Sequence, residues 1–195
     1  KKKLEKLEAN VIEWILFFFS EFAKYPFTKF HKKAIKRITT NMEWYEVLSW
    51  SRELAKSTIV FMCMMYLVLT GKKKNVLLIS NSHENAVRLL EPYKKAFESN
   101  SMLKAYYGDL REFGSWTADE FTLTTGATFR AIGALESPRG TRKDAVRPDT
   151  ALVDDFDTDA DCRNPDILKK KWEWFEEALF PTRSISEDLL VIFCG

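Results

Sequence analysis

The sequence has little of what builds a disulfide or zinc scaffold. Its three cysteines, Cys63, Cys162 and Cys194, stand far apart, are odd in number and form no CxxC pair, and there are only two histidines, His31 and His83. This excludes a disulfide framework, disfavours a His/Cys metal site and points to a reducing compartment. A surplus of one charge is lacking too. Lys and Arg number 30 against 28 Asp and Glu, for a formal net charge of +2. That balance neither indicates nor excludes nucleic acid as a partner, because a basic patch can hide in a neutral total. Long apolar runs are also missing. Residues 14–19 are interrupted at once by Ser20 and Glu21, and residues 59–69 give way to Gly71 and a lysine run. Both fall short of the roughly 20 apolar residues of a membrane span, and no signal peptide is visible. The chain lacks an initiating Met and stops just beyond an apolar run, so it is expected to be an excerpt of a longer protein.

What is present is globular. With 195 residues, 46% hydrophobic and 30% charged, the chain can bury a substantial core as one domain. Apolar residues at helical spacing (Leu4, Leu7, Val11, Ile15, Phe18, Phe22) predict a helix over 4–22, ended by Pro26, and a second helix is expected over 29–38. A short strand over 47–50 leads through residues 51–57 into an apolar core helix. Residues 76–80 read as a strand buried on both faces, and 84–97 as a helix despite Pro92. Residues 121–124 and 128–132, joined through Thr125, Gly126 and Ala127, read as a hairpin. Residues 150–153 form another buried strand, 166–179 a helix and 189–193 a final strand. Strands alternating with helices predict an α/β domain with a mostly parallel sheet, whose ligand site lies at the carboxyl ends of the strands. The organisation expected is a helical segment over about 1–45 followed by a core over about 46–195.

Two polar clusters fall at such strand ends. Residues 50–58 (Trp50, Ser51, Arg52, Glu53, Leu54, Ala55, Lys56, Ser57, Thr58) stand between a strand and a helix. The phosphate loop GxxxxGK[ST] occupies that context, and Lys56 and Ser57 match it, while Trp50 and Ala55 replace its two glycines. A loop entering a helix aims free N–H groups at a phosphate, and the dipole adds to this. Lys56 would reach the β- and γ-phosphates, Ser57 would hold Mg²⁺, and Arg52 would supply a second cation. An ordinary helix start is the competing reading, although lysine is disfavoured there. The second cluster is Asp154 and Asp155, closing an apolar strand. Nucleotide hydrolases use one such acid for the metal and the next to activate water, which assigns Asp154 to Mg²⁺ and Asp155 to water. Asp157, Asp159 and Asp161 read as a solvated acidic loop, since Cys162 stands where a calcium loop needs glycine.

Together the two clusters resemble the large terminase subunits of tailed bacteriophages, whose phosphate loop departs from the usual glycines and often carries an early arginine. The order of Ser137, Pro138, Arg139, Gly140 and Thr141, then Arg147, Pro148 and Asp149 before the acidic strand, is similar to that family, as is residues 190–195 to the start of its coupling motif. The resemblance implies an α/β P-loop NTPase of the ASCE (RecA/helicase-like) type, with helices on both faces of a mostly parallel sheet. It implies ATP and Mg²⁺ as ligands, an adenine-side motif over 27–31 with His31 stacking on or bonding to the base, and Arg139 as a γ-phosphate sensor or arginine finger. It also implies double-stranded DNA, a portal protein and a small terminase subunit as partners, a homo-oligomeric ring, no membrane, and the cytoplasm of an infected bacterium. The family more often has Glu where this chain has Asp155, and its nuclease domain would follow Gly195. Arg142, Lys143 and Arg147 are candidate DNA-phosphate contacts or solvated loop cations. A helicase-like translocase and a non-hydrolysing structural or DNA-binding module remain as alternatives.

Overall fold

The computed structural model describes residues 2–138, 147–183 and 188–195. Three helices come first: α1 (Lys2–Glu8), α2 (Val11–Phe18) and α3 (Lys29–Thr40). The single helix expected over 4–22 is thus two. Asn10 breaks it by taking an extended backbone and capping α2, its side chain accepting from the N–H groups of Ile12 and Glu13. The chain continues through β1 (Trp44–Leu48), α4 (Lys56–Leu69), β2 (Asn75–Ser80), α5 (His83–Ser99), α6 (Ser101–Tyr107), β3 (Arg111–Trp116), β4 (Glu120–Leu123), β5 (Thr128–Gly133), β6 (Thr150–Asp154), α7 (Pro165–Glu173) and β7 (Leu190–Cys194). Beyond α7 the backbone widens into a π-type turn, Trp174–Leu179, so the helix expected to 179 changes its winding.

The strands form one sheet in the order β1-β7-β6-β2-β5-β4-β3. The first five are mutually parallel, and β4 pairs antiparallel with both β5 and β3. The fold is therefore α/β with a mostly parallel seven-stranded sheet. The hairpin expected around Gly126 is the β4–β5 pair, with Phe121 opposite Phe129. Gly126 takes φ +82, a left-handed turn conformation that side chains resist.

Strand periodicity divides the interior in two. On β2, Val76 and Leu78 face a large core shared with α2, α3, α4 and α5, whereas Leu77 and Ile79 face a smaller core with Phe156, Phe175 and Leu179. This is why every β2 residue is buried. All ten residues of α4 from Ile59 to Val68 are buried, as helices α2, α3 and α5 and the sheet surround it. In the large core Trp14 is fully buried, and its indole N–H donates to the Tyr107 hydroxyl at 2.8 Å.

Two lysines are buried, although the residue type is mostly exposed. Within the lysine run 72–74, Lys73 is 2% exposed. Its Nζ donates to the carbonyls of Met42 (2.9 Å), Asp149 (3.0 Å) and Asp188 (2.8 Å), tying together the entrances of β1, β6 and β7. The Asp149 carboxylate accepts from the N–H groups of Lys74 and Asn75, and burial, outweighing these bonds, holds its pKa above the ordinary value. Likewise the acids after Asp155 are not all solvated. Lys171, 4% exposed, donates to the Phe156 carbonyl and to Asp161, both at 2.6 Å, with Asp157 at 3.6 Å. The Lys171 hydrogen bond, with others from Thr158, pushes the Asp161 carboxyl down to about 2.

Candidate functional site

The site grows from a level row of strand ends. Leu48 of β1 pairs with Cys194 of β7, which pairs with Asp154 of β6. From Leu48 the chain runs through residues 49–55 into α4, so the segment read as a phosphate loop lies beside the acidic strand end. The strand feeding it covers 44–48 rather than the expected 47–50. That leaves Ser49 and Trp50 in the loop.

The loop adopts the conformation that glycine usually serves. Glu53 has φ +69 and Ala55, the residue before α4, has φ +58 and ψ +30. A left-handed non-glycine residue costs about 1–2 kcal/mol, and such strain persists where the surroundings impose it. Ala55 carries no capping side chain, so the first N–H groups of α4 are free to meet an anion. Ser51, Arg52, Glu53 and Leu54 are exposed, and Lys56 and Thr58 half-buried.

Lys56 and Ser57, in the first turn of α4, each make a side-chain hydrogen bond. Lys56 Nζ donates to the Trp50 carbonyl at 2.5 Å, across the loop. Ser57 Oγ donates to Asp154 Oδ2 at 2.7 Å, joining the first turn of α4 to the end of β6. Burial holds the Asp154 pKa above its ordinary value; the Ser57 bond opposes this, and neighbouring Asp155 adds to it. Burial, with Asp154 beside it, also pushes the Cys194 thiol up. Ser57 and Asp154 offer a hydroxyl and a carboxylate oxygen to a hard cation. No group of three His, Cys, Asp or Glu gathers among the described residues. That donor set suits Mg²⁺, which keeps several waters and takes few protein ligands.

Asp155 is exposed and left-handed, with φ +47. Its carbonyl is held by the backbone N–H of Asn81 at 3.2 Å, the Asn81 side chain at 2.9 Å and Ser80 Oγ at 3.4 Å. The end of β2 thus fixes the backbone that carries the second acid. Asn81, just beyond β2, and Cys194, in the segment that resembles the start of the coupling motif, stand at the same row of strand ends.

His31 reaches the loop from α3, its Nε2 lying 3.2 Å from the Leu54 carbonyl. Its ring packs against Phe30 (centroids 4.1 Å apart) and Trp50 (5.5 Å). The structure therefore brings together residues 51–58, His31, Asp154 and Asp155. Arg139, with Arg142 and Lys143, lies outside the described residues. Arg147 donates to the carbonyls of Thr182 and Arg183 at 3.5 and 3.4 Å. A cleft of about 1200 Å³ elsewhere, lined by Phe22, Phe61, Pro92 and Met102 among others, includes none of these site residues.

The chain matches no known family model and no curated protein. Among the described residues no helix is long and apolar enough to cross a membrane.

Proposed function

We propose that this domain binds Mg-ATP at residues 51–58 and hydrolyses it, as the ATPase domain of a nucleic-acid motor of the large terminase type. The observation that carries the reading is the Ser57–Asp154 hydrogen bond, which puts the helix-start hydroxyl and the strand-end carboxylate of the two clusters at one point. The left-handed Ala55 supports it, since it gives the loop the path of the missing glycine. So does the sheet order, in which β7 separates the loop strand from the acidic strand, the added strand of the ASCE arrangement.

In this reading Lys56 and Arg52 balance phosphate charge, and the N–H groups opening α4 bond phosphate oxygens. Ser57 and Asp154 hold Mg²⁺, which neutralises charge developing on the phosphates. Asp155 orients and deprotonates the attacking water; being one methylene shorter than Glu, it requires that water closer to β6. Phe30, Trp50 and His31 flank the loop mouth on the side assigned to adenine. Arg139 stays a candidate γ-phosphate sensor or arginine finger. The wider proposal, from the resemblance, is translocation of double-stranded DNA into a capsid in an infected bacterium. The domain would act in a ring with a portal protein and a small terminase subunit.

The test is an equilibrium titration of Mg-ATP into the wild-type chain and Lys56→Ala. Clear wild-type binding, weakened about tenfold or more in the variant (about 1.4 kcal/mol per decade), is the expected result. Equal binding would move the site away from Lys56 and sink the assignments.

A further inference from the structure

His31 invites a role as a base-contacting residue, but both of its ring nitrogens are already engaged by the protein. The backbone N–H of Thr28 lies 3.4 Å from Nδ1, and the His31 N–H lies 3.5 Å from Thr28 Oγ1, a reciprocal capping box opening α3. A backbone N–H can only donate, so Nδ1 accepts. The Leu54 carbonyl can only accept, so Nε2 carries the proton and donates across 3.2 Å. The two bonds demand the same neutral tautomer and reinforce each other. Phe30 and Trp50 pack against the ring. Leu54 stands between Glu53 and Ala55, the two left-handed residues of the loop.

We propose that His31 is a positioning residue. It fixes the Leu54 carbonyl and thereby holds the strained turn 53–55 in the shape that aims the N–H groups opening α4 at a polyphosphate. The proposal rests on the nucleotide-site reading above. A glycine loop adopts such a turn without cost, whereas this one needs an external anchor. The anchor comes from α3, which also carries Phe30, 39% exposed beside the loop mouth. Aromatic contact with a base then falls to Phe30, and His31 acts on the phosphates through the loop.

The experiment separates base from phosphate by titrating Mg-ATP and Mg-tripolyphosphate, which has no base, into four proteins: wild type, His31→Phe, His31→Gln and Phe30→Ala. His31→Phe keeps a ring and loses both bonds. His31→Gln can still accept from Thr28 and donate to Leu54. Expected is a loss of about five- to tenfold for both ligands in H31F, recovery in H31Q, and a loss for ATP alone in F30A. ATP loss with intact tripolyphosphate binding in H31F overturns the proposal in favour of a base contact. Unchanged binding of both, or no recovery in H31Q, overturns it as well. If circular dichroism shows that H31F does not fold, His31→Asn replaces it, able to accept from Thr28 but too short for Leu54, with the same outcomes. Wild-type protein that binds neither ligand defeats the nucleotide-site reading itself, a result distinct from any pattern among the variants.

Discussion

Lys73→Met tests the fold without reference to its chemistry. The substitution keeps a long apolar stem and removes an ammonium that donates to three carbonyls, of Met42, Asp149 and Asp188. A hydrogen bond to a charged group contributes about 1.5–3 kcal/mol net. Three of them would total more than is realised, because burying the ammonium itself costs several kcal/mol. A net loss of about 3 kcal/mol is the reasoned value. For a chain of this length each kcal/mol moves the unfolding midpoint by about 2–4 °C, so the drop should be about 6–12 °C by differential scanning calorimetry. Exposed Lys74→Met is the control and should shift by no more than about 2 °C, as surface substitutions do. If the two variants melt within about 2 °C of each other, Lys73 does not tie the strand entrances together.

Two further predictions concern the acids. Asp155→Asn should leave Mg-ATP affinity within about twofold and lower phosphate release by about 10²- to 10⁴-fold, the usual contribution of a general base; equal turnover would remove Asp155 from that role. Asp161, held down to about 2 chiefly by Lys171, contributes stability that is fully present above its unfolded value near 4 and lost as pH falls through about 2. Urea midpoints of wild type and Asp161→Asn should therefore converge across that acidic window and differ above it. Comparing the pair at each pH cancels the opposite slopes of Asp149 and Asp154, whose pKa values burial raises. A constant gap at every pH would refute the Lys171 pairing.

The elements readable in the sequence were those whose local signal and tertiary fate agree. The apolar run of β2, the turn at Gly126 and the uninterrupted apolar face of α4 each had one packing solution. Residues 101–116 were harder. Polar and aromatic residues mix there around Gly108 and Gly114, α6 has only seven residues, and β3 lies at the sheet margin with Phe113 fully exposed. The break at Asn10 was hidden because helical spacing continues across it, while one side-chain cap decides it locally. The burial of Lys73 and Lys171 was not legible for a general reason: composition assigns lysine to solvent, and only the fold reveals the carbonyls and carboxylates that converge on them. At the site, Lys56, Ser57 and Asp154 were legible from residue type and spacing. The left-handed backbone at Glu53, Ala55 and Asp155 was not, because none of these is glycine.

The burial of α4 governs where the site can yield. From Ile59 onward this helix is enclosed on every side, so Lys56 and Ser57 project from something as immovable as an anvil. Among the described residues the strand at the other end of the loop lies at the sheet margin, paired on one side only, with Tyr45 and Val47 at least half exposed. Burial therefore falls backward along the chain from α4 to the exposed loop residues 51–55. The loop is thus held between a helix start rooted in the core and a strand whose outer face meets solvent.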